Sequence, residues 1–164
     1  MFNASRYLLD RHVEAGQGAR LALTGVPGDL TYAQLHDRVR RTAGGLRRIG
    51  VQPEHRLMMF MADSPEFVTT FLAALRIGAV PVPVSTMLRP DGLAGLLRDS
   101  RARFLALTDD FAEVAVAAAA TAPELTALLA TGDTPGASLP VHALADLAAG
   151  EPDDDVYPTT ADSP

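Results

Sequence analysis

Four histidines, an aspartate triplet and an arginine-rich stretch are the residues of this 164-residue chain that have chemistry to offer. Their spacing decides what kind. His12, His36, His55 and His142 are scattered, with no pair at the short intervals by which two side chains reach one metal ion. They are read as surface or packing residues. Asp153-Asp154-Asp155 supplies the carboxylate oxygens that Ca²⁺ and Mg²⁺ prefer, but it lacks the glycine turn and distal glutamate of a calcium loop. A solvated tail is the expectation there. Gly25 to Gly28 and Gly44-Gly45 are not phosphate cradles. The first is a hairpin turn, and the second sits inside a helix, where missing side chains permit close packing.

Arg38, Arg40, Arg41, Arg47 and Arg48 fall on one predicted helix and could neutralise phosphates, the main source of nucleic-acid affinity. A net charge of −6 and the lack of a nearby aromatic stacking platform argue against that use. No nucleic-acid partner is expected. All 14 basic residues are arginine, which removes a Walker-type phosphate loop and any Schiff-base lysine. The chain also has no cysteine, so disulfides, thiolate nucleophiles and thiolate metal sites are excluded.

Charge is divided unequally along the chain. All the arginines lie at or before Arg103, giving a net +5 to that point, whereas Phe104 to Pro164 carries a net −11. Such asymmetry marks either an acidic partner surface or two parts that fold against each other. Nearly half of the residues are apolar, enough for one domain with a real core. No run approaches the roughly 18 apolar residues of a membrane span, and Met1-Phe2-Asn3-Ala4-Ser5 lacks a signal-peptide layout. A cytoplasmic protein without a membrane partner is the expectation.

The elements that must position these residues follow from local signals. Asn3 caps a first helix through Tyr7, Leu8 and Val13, and Arg20 to Thr24 forms a small hairpin with Leu30-Thr31 across a Gly25–Asp29 turn. Thr31 and Gln34 have capping-box spacing, so a long helix begins there with Leu35, Val39, Thr42, Ala43, Leu46 and Ile49 on its apolar side. Arg56 to Met61 reads as a strand buried on both faces. Ser64, Pro65 and Glu66 open a helix that stops at Gly78. Ala79 to Val84 is a strand that its two prolines confine to an edge, an end or a bulge. Pro90-Asp91 opens a helix carrying Leu93, Leu96 and Leu97, and Arg103 to Leu107 is a third strand. Beyond it, Ala112–Ala122, Glu124–Ala130 and Val141–Ala149 read as helices, with a loop at Gly132–Gly136. The order implies an α/β fold: a mostly parallel sheet flanked by helices, with a small N-terminal hairpin. Residues 1–150 form this α/β portion and 151–164 an extended or disordered tail.

Four stretches in order, Leu30-Thr-Tyr-Ala-Gln-Leu35, Gly45-Leu46…Gly50-Val51…His55-Arg56-Leu57, Leu72 to Val84, and Leu88 to Ser100 with Phe104 to Leu107, resemble the front of AMP-forming acyl-CoA synthetases. With Phe2-Asn3-Ala4 and Tyr157 to Pro164, the pattern is most similar to benzoate and hydroxybenzoate CoA ligases. Asp63 and His55 stand where Asn and Asp are common in that family. The resemblance implies the N-terminal portion of an ATP-dependent carboxylate–CoA ligase, ending near the family's glycine-rich phosphate loop and inactive alone. It implies ATP, Mg and coenzyme A for the parent enzyme and none in this chain. No catalytic, cofactor-binding or metal residue is carried over. The expected partner is the remainder of the parent or a second copy, through exposed apolar surface. The competing reading is a non-enzymatic interaction module or truncated paralogue that associates with another chain.

Overall fold

The structure is a computed structural model that describes residues 2–25 and 28–160. A π-helical turn at Arg6–Asp10 runs into α1 (Arg11–Glu14). It is capped as expected, Asn3 Oδ1 accepting from the Arg6 N–H at 3.3 Å. Strands β1 (Leu21–Leu23) and β2 (Leu30–Thr31) pair antiparallel as the small hairpin. Val26 and Pro27 of the expected turn lie outside the described residues, as do 161–164 of the expected tail.

Helix α2 (Tyr32–Arg48) begins with the complete capping box of Thr31 and Gln34 and buries Leu35, Val39, Thr42, Ala43 and Leu46. Then β3 (Arg56–Phe60), α3 (Pro65–Arg76), β4 (Val80–Pro83), α4 (Pro90–Ser100) and β5 (Phe104–Leu107) alternate. Ser64 caps α3 through the Phe67 amide, and Gly78, at φ 80°, takes the left-handed conformation that ends it. Of the apolar residues expected in α4, Leu93 and Leu97 are buried while Leu96 is exposed. Helix α5 (Ala112–Ala119) follows a 3₁₀ turn at Asp109–Phe111.

Two expected helices are strands in part. Ala127–Ala130, placed in a helix over Glu124–Ala130, is strand β6, and Val141–Ala143 is strand β7, leaving only α6 (Leu144–Ala148) helical in the last segment. For β6 the reason is burial on both faces. Leu128 packs among α4 and α5 while its neighbour Leu129 packs beneath α2. Such a strand is apolar throughout, so no period separates it from a short buried helix.

All five long-sheet strands run parallel in the order β4-β3-β5-β6-β7. Met58 lies opposite Leu105. Alternation then divides the core. Leu57, Met59 and Ala106 join the helices α2, α3 and α6 on one face, and Met58, Phe60 and Leu105 join α4 and α5 on the other. The prolines are explained by the edge. Val80 donates to the His55 carbonyl just before β3 and Val84 to the Met59 carbonyl within it, so Pro81 and Pro83 carry their missing N–H groups on the outward side of the outermost strand.

Gly44 and Gly45 lie in the middle of α2, where glycine costs about 1 kcal/mol against alanine. Contact explains them: a Cβ on Gly45 would meet the Leu147 carbonyl of α6 at 2.5 Å, and one on Gly44 the Glu151 carbonyl at 3.0 Å. Gly95 of α4 has nothing within 4 Å of its would-be Cβ. Gly45→Ala is therefore expected to lower unfolding free energy by about 1–3 kcal/mol. Gly95→Ala should raise it by about 0.5–1 kcal/mol. Urea melts of the two variants check the pair, and equal effects would mean α6 yields to the added methyl.

Candidate functional site

In a parallel sheet the polar opening lies beyond the carboxyl ends of the strands, where the connections diverge. Here β3 leads outward to β4 on one side and β5 continues on the other, so the divergence falls between β3 and β5. Ala62, just past β3, donates its N–H to Thr108 Oγ1, just past β5, at 2.9 Å. Beside this point a crevice of about 590 Å³ is lined by Arg41 and Thr42 of α2, Ser64, Glu66, Thr69 and Thr70 around the start of α3, Thr108, Thr131, and the apolar face of α6.

Some of its polar groups are already committed. Ser64 Oγ accepts from Phe67, Thr131 Oγ1 donates to Asp109 Oδ1 at 2.6 Å and accepts from the Asp109 N–H, and Arg41 is tied to Asp37 and to the Gly150 carbonyl. Others are not: the Thr69 hydroxyl is buried without a protein partner, and Arg38 and Glu66 line the same crevice. No histidine lines the crevice, and among the described residues no cluster of His, Cys, Asp or Glu could hold a metal ion.

The second polar centre is buried behind the first helix, and the sequence reading missed it. Arg76, 2 % exposed, directs Nη1 at both Asp10 oxygens, at 3.0 and 2.9 Å, and Nη2 at the Asp154 carbonyl. His36 Nε2 lies 3.4 Å from Asp10 Oδ1. Burial by itself pushes the Asp10 carboxyl up, but the hydrogen bonds and charges of His36 and Arg76 together outweigh it and hold the group below the ordinary carboxylate range. The available signal was a lone arginine among the apolar residues of α3; nothing in the sequence showed its partner.

The residues singled out by sequence are dispersed. His12 stacks on Tyr32 at 4.3 Å, and His36 belongs to the Asp10 cluster. His55 accepts from the Gln52 N–H at Nδ1, and burial, then the Arg103 charge, keep it below the usual imidazole range. His142 sits in β7. One expectation needs refinement: the aspartate triplet is solvated at Asp154 and Asp155 but is not a free tail. Arg47 pairs with Asp153, Arg40 with Asp154, and Arg41 holds the Gly150 carbonyl. The segment is extended, but it lies along α2, the acidic end of the chain folded against the basic one.

Removing one member of a buried pair strands the other charge. Asp10→Asn should cost about 3–5 kcal/mol at neutral pH, and Asp10→Leu combined with Arg76→Met clearly less. Because Asp10 has a lowered folded pKa, its contribution is full above the unfolded carboxylate value and fades as pH falls through the folded one. The gap between wild type and Asp10→Asn should thus close as pH drops below about 4. Chemical denaturation across pH measures it, and a pH-independent gap would contradict the assignment.

Comparison with known proteins follows the same geometry. A family described as "AMP-binding enzyme" matches residues 9–162. The 4-hydroxybenzoate–CoA/benzoate–CoA ligase of Rhodopseudomonas palustris is 37% identical over 150 residues, covering 92% of this chain and 27% of that protein. The benzoate–CoA ligase of Thauera aromatica is 34% identical over 146 residues, covering 80% of this chain and 28% of its own length. The chain therefore spans little more than a quarter of these relatives. Among solved structures, a benzoate CoA ligase from Burkholderia xenovorans LB400 superposes with a TM-score of 0.85 at 29% identity, over 99% of this chain and 31% of that one. The five-stranded parallel sheet, its two helical faces and the hairpin correspond to the N-terminal part of adenylate-forming enzymes, and with the match over residues 9–162 the chain belongs to the AMP-binding enzyme family.

Proposed function

We propose that this chain is the N-terminal scaffold of an ATP-dependent carboxylate–CoA ligase, an aryl acid such as benzoate being the favoured substrate, and that it forms no acyl adenylate alone. The observation that carries the reading is the family match across residues 9–162, in a chain that spans little more than a quarter of its relatives. Support for the aryl substrate comes from the activities of two relatives above 30% identity. ATP, Mg and coenzyme A belong to the parent in this reading. No residue of this chain is assigned to hold them, since all 14 basic residues are arginine and the described residues contain no metal-binding cluster.

The partner in this proposal is the remainder of the parent, or a second copy, covering apolar side chains such as Met87, 90 % exposed, and Leu21, 57 % exposed. Among the described residues no helix is long and apolar enough to cross a membrane. ATP–pyrophosphate exchange with benzoate is the test. The 164-residue chain should stay at background, whereas a version extended through its own downstream reading frame should exchange in a benzoate-dependent manner. Turnover by the short chain would overturn the scaffold reading. A downstream frame without a glycine-rich Ser/Thr loop would favour an interaction module.

A further inference from the structure

The acidic segment is fixed to the body by two kinds of attachment that respond differently to solution conditions. Along α2 the attachments are ionic and partly exposed, Arg47, Asp153 and Arg40 being 32 %, 20 % and 20 % accessible. Arg47 pairs with Asp153 and Arg40 with Asp154, and the Asp154 and Asp155 side chains are 81 % and 91 % exposed. The Asp153 N–H donates to the Arg40 carbonyl at 3.1 Å alongside them. Past Val156 the attachments are neutral. The Tyr157 N–H donates to the Arg76 carbonyl at 2.8 Å, buried Asn3 donates to the Tyr157 carbonyl at 3.1 Å, and the Phe2 N–H donates to the Thr159 carbonyl at 2.9 Å. The Tyr157 ring lies where a Cβ on Gly78 would stand.

Between these attachments lies a cavity of about 320 Å³. The first helix, His36 of α2 and Arg76 of α3 form its walls, and Asp154 and Val156 cover part of the remaining side. Closure has a cost. Arg40 Nε and Arg76 Nε are buried without a protein acceptor, and water would reach them if that side opened. One contact crosses from the buried centre to the ionic half, Arg76 Nη2 to the Asp154 carbonyl at 3.3 Å, long for a charged donor.

We propose that residues 150–155 are a salt-released lid over the cavity of Asp10, His36 and Arg76, hinged at Val156 and anchored beyond it by Tyr157 and Thr159. Added salt screens exposed ion pairs within a few ångströms and leaves neutral hydrogen bonds in place. The ionic half therefore opens by itself, without unfolding of the sheet. Opening widens the access of water and small ions to the charge cluster.

Residue-resolved amide exchange on the whole chain, at about 0.05 M and about 1 M NaCl, reads this out. The Asp153 and Asp155 amides should exchange about tenfold faster at high salt, while those of Tyr157, Met58 and Leu105 change less than about twofold. Arg47→Gln should produce the fast Asp153 exchange already at low salt. If Tyr157 accelerates together with Asp153, there is no hinge at Val156 and the proposal fails. If Met58 and Leu105 accelerate as well, salt acts on the whole fold and the lid is likewise overturned. Exchange indifferent to salt and to Arg47→Gln would show that the ion pairs do not hold the segment.

Discussion

A charge that cannot reach water governs how the ends of this chain are arranged. Among the described residues, Asp10 and Arg76 are the only buried charged side chains. Isolated, a buried guanidinium would cost several kcal/mol, so its surroundings must supply acceptors from wherever the chain can bring them. The carboxylate comes from the first helical turn, and a carbonyl comes from the segment near the other terminus. Arg76 itself lies in the last turn of α3, where a positive charge also suits the helix dipole. One side chain thereby joins three segments far apart in sequence.

The sheet imposes the second constraint. Parallel strands buried on both faces need a helical layer on each, and short connections supply them by alternating strand and helix. The α2 side of the sheet is the more crowded because it also receives α6 and the extended segment. Glycines at 44 and 45 give up helix propensity so that the Leu147 and Glu151 backbones can approach. The opposite layer is simpler: alanines of α5 set small side chains against Phe60, Leu107 and Leu128.

Most of the architecture was legible because its signals are local. The Thr31–Gln34 box, the Ser64-Pro65 start, the Gly78 stop and the edge prolines each follow from the chemistry of a few adjacent residues. Strands β6 and β7 were not legible, since a four-residue run such as Ala127–Ala130 satisfies helix and strand alike until its two faces are known. The polar centres were hidden for a different reason. Arg76 and Asp10 are 66 positions apart and Arg47 and Asp153 are 106 apart. Charge counts alone place acids at one end and bases at the other, without saying which will touch.

The two prolines of β4 have a consequence beyond that strand. With Pro81 and Pro83 facing outward, the rim there offers carbonyls but lacks two of the donors that an incoming strand would need. Strand addition, whether by a neighbouring polypeptide or by a misfolded copy seeding a fibril, is disfavoured at that rim. The sheet is consequently one-ended: it can lengthen beyond β7, and a companion domain meeting the β4 side must dock through side chains rather than zip on through its backbone.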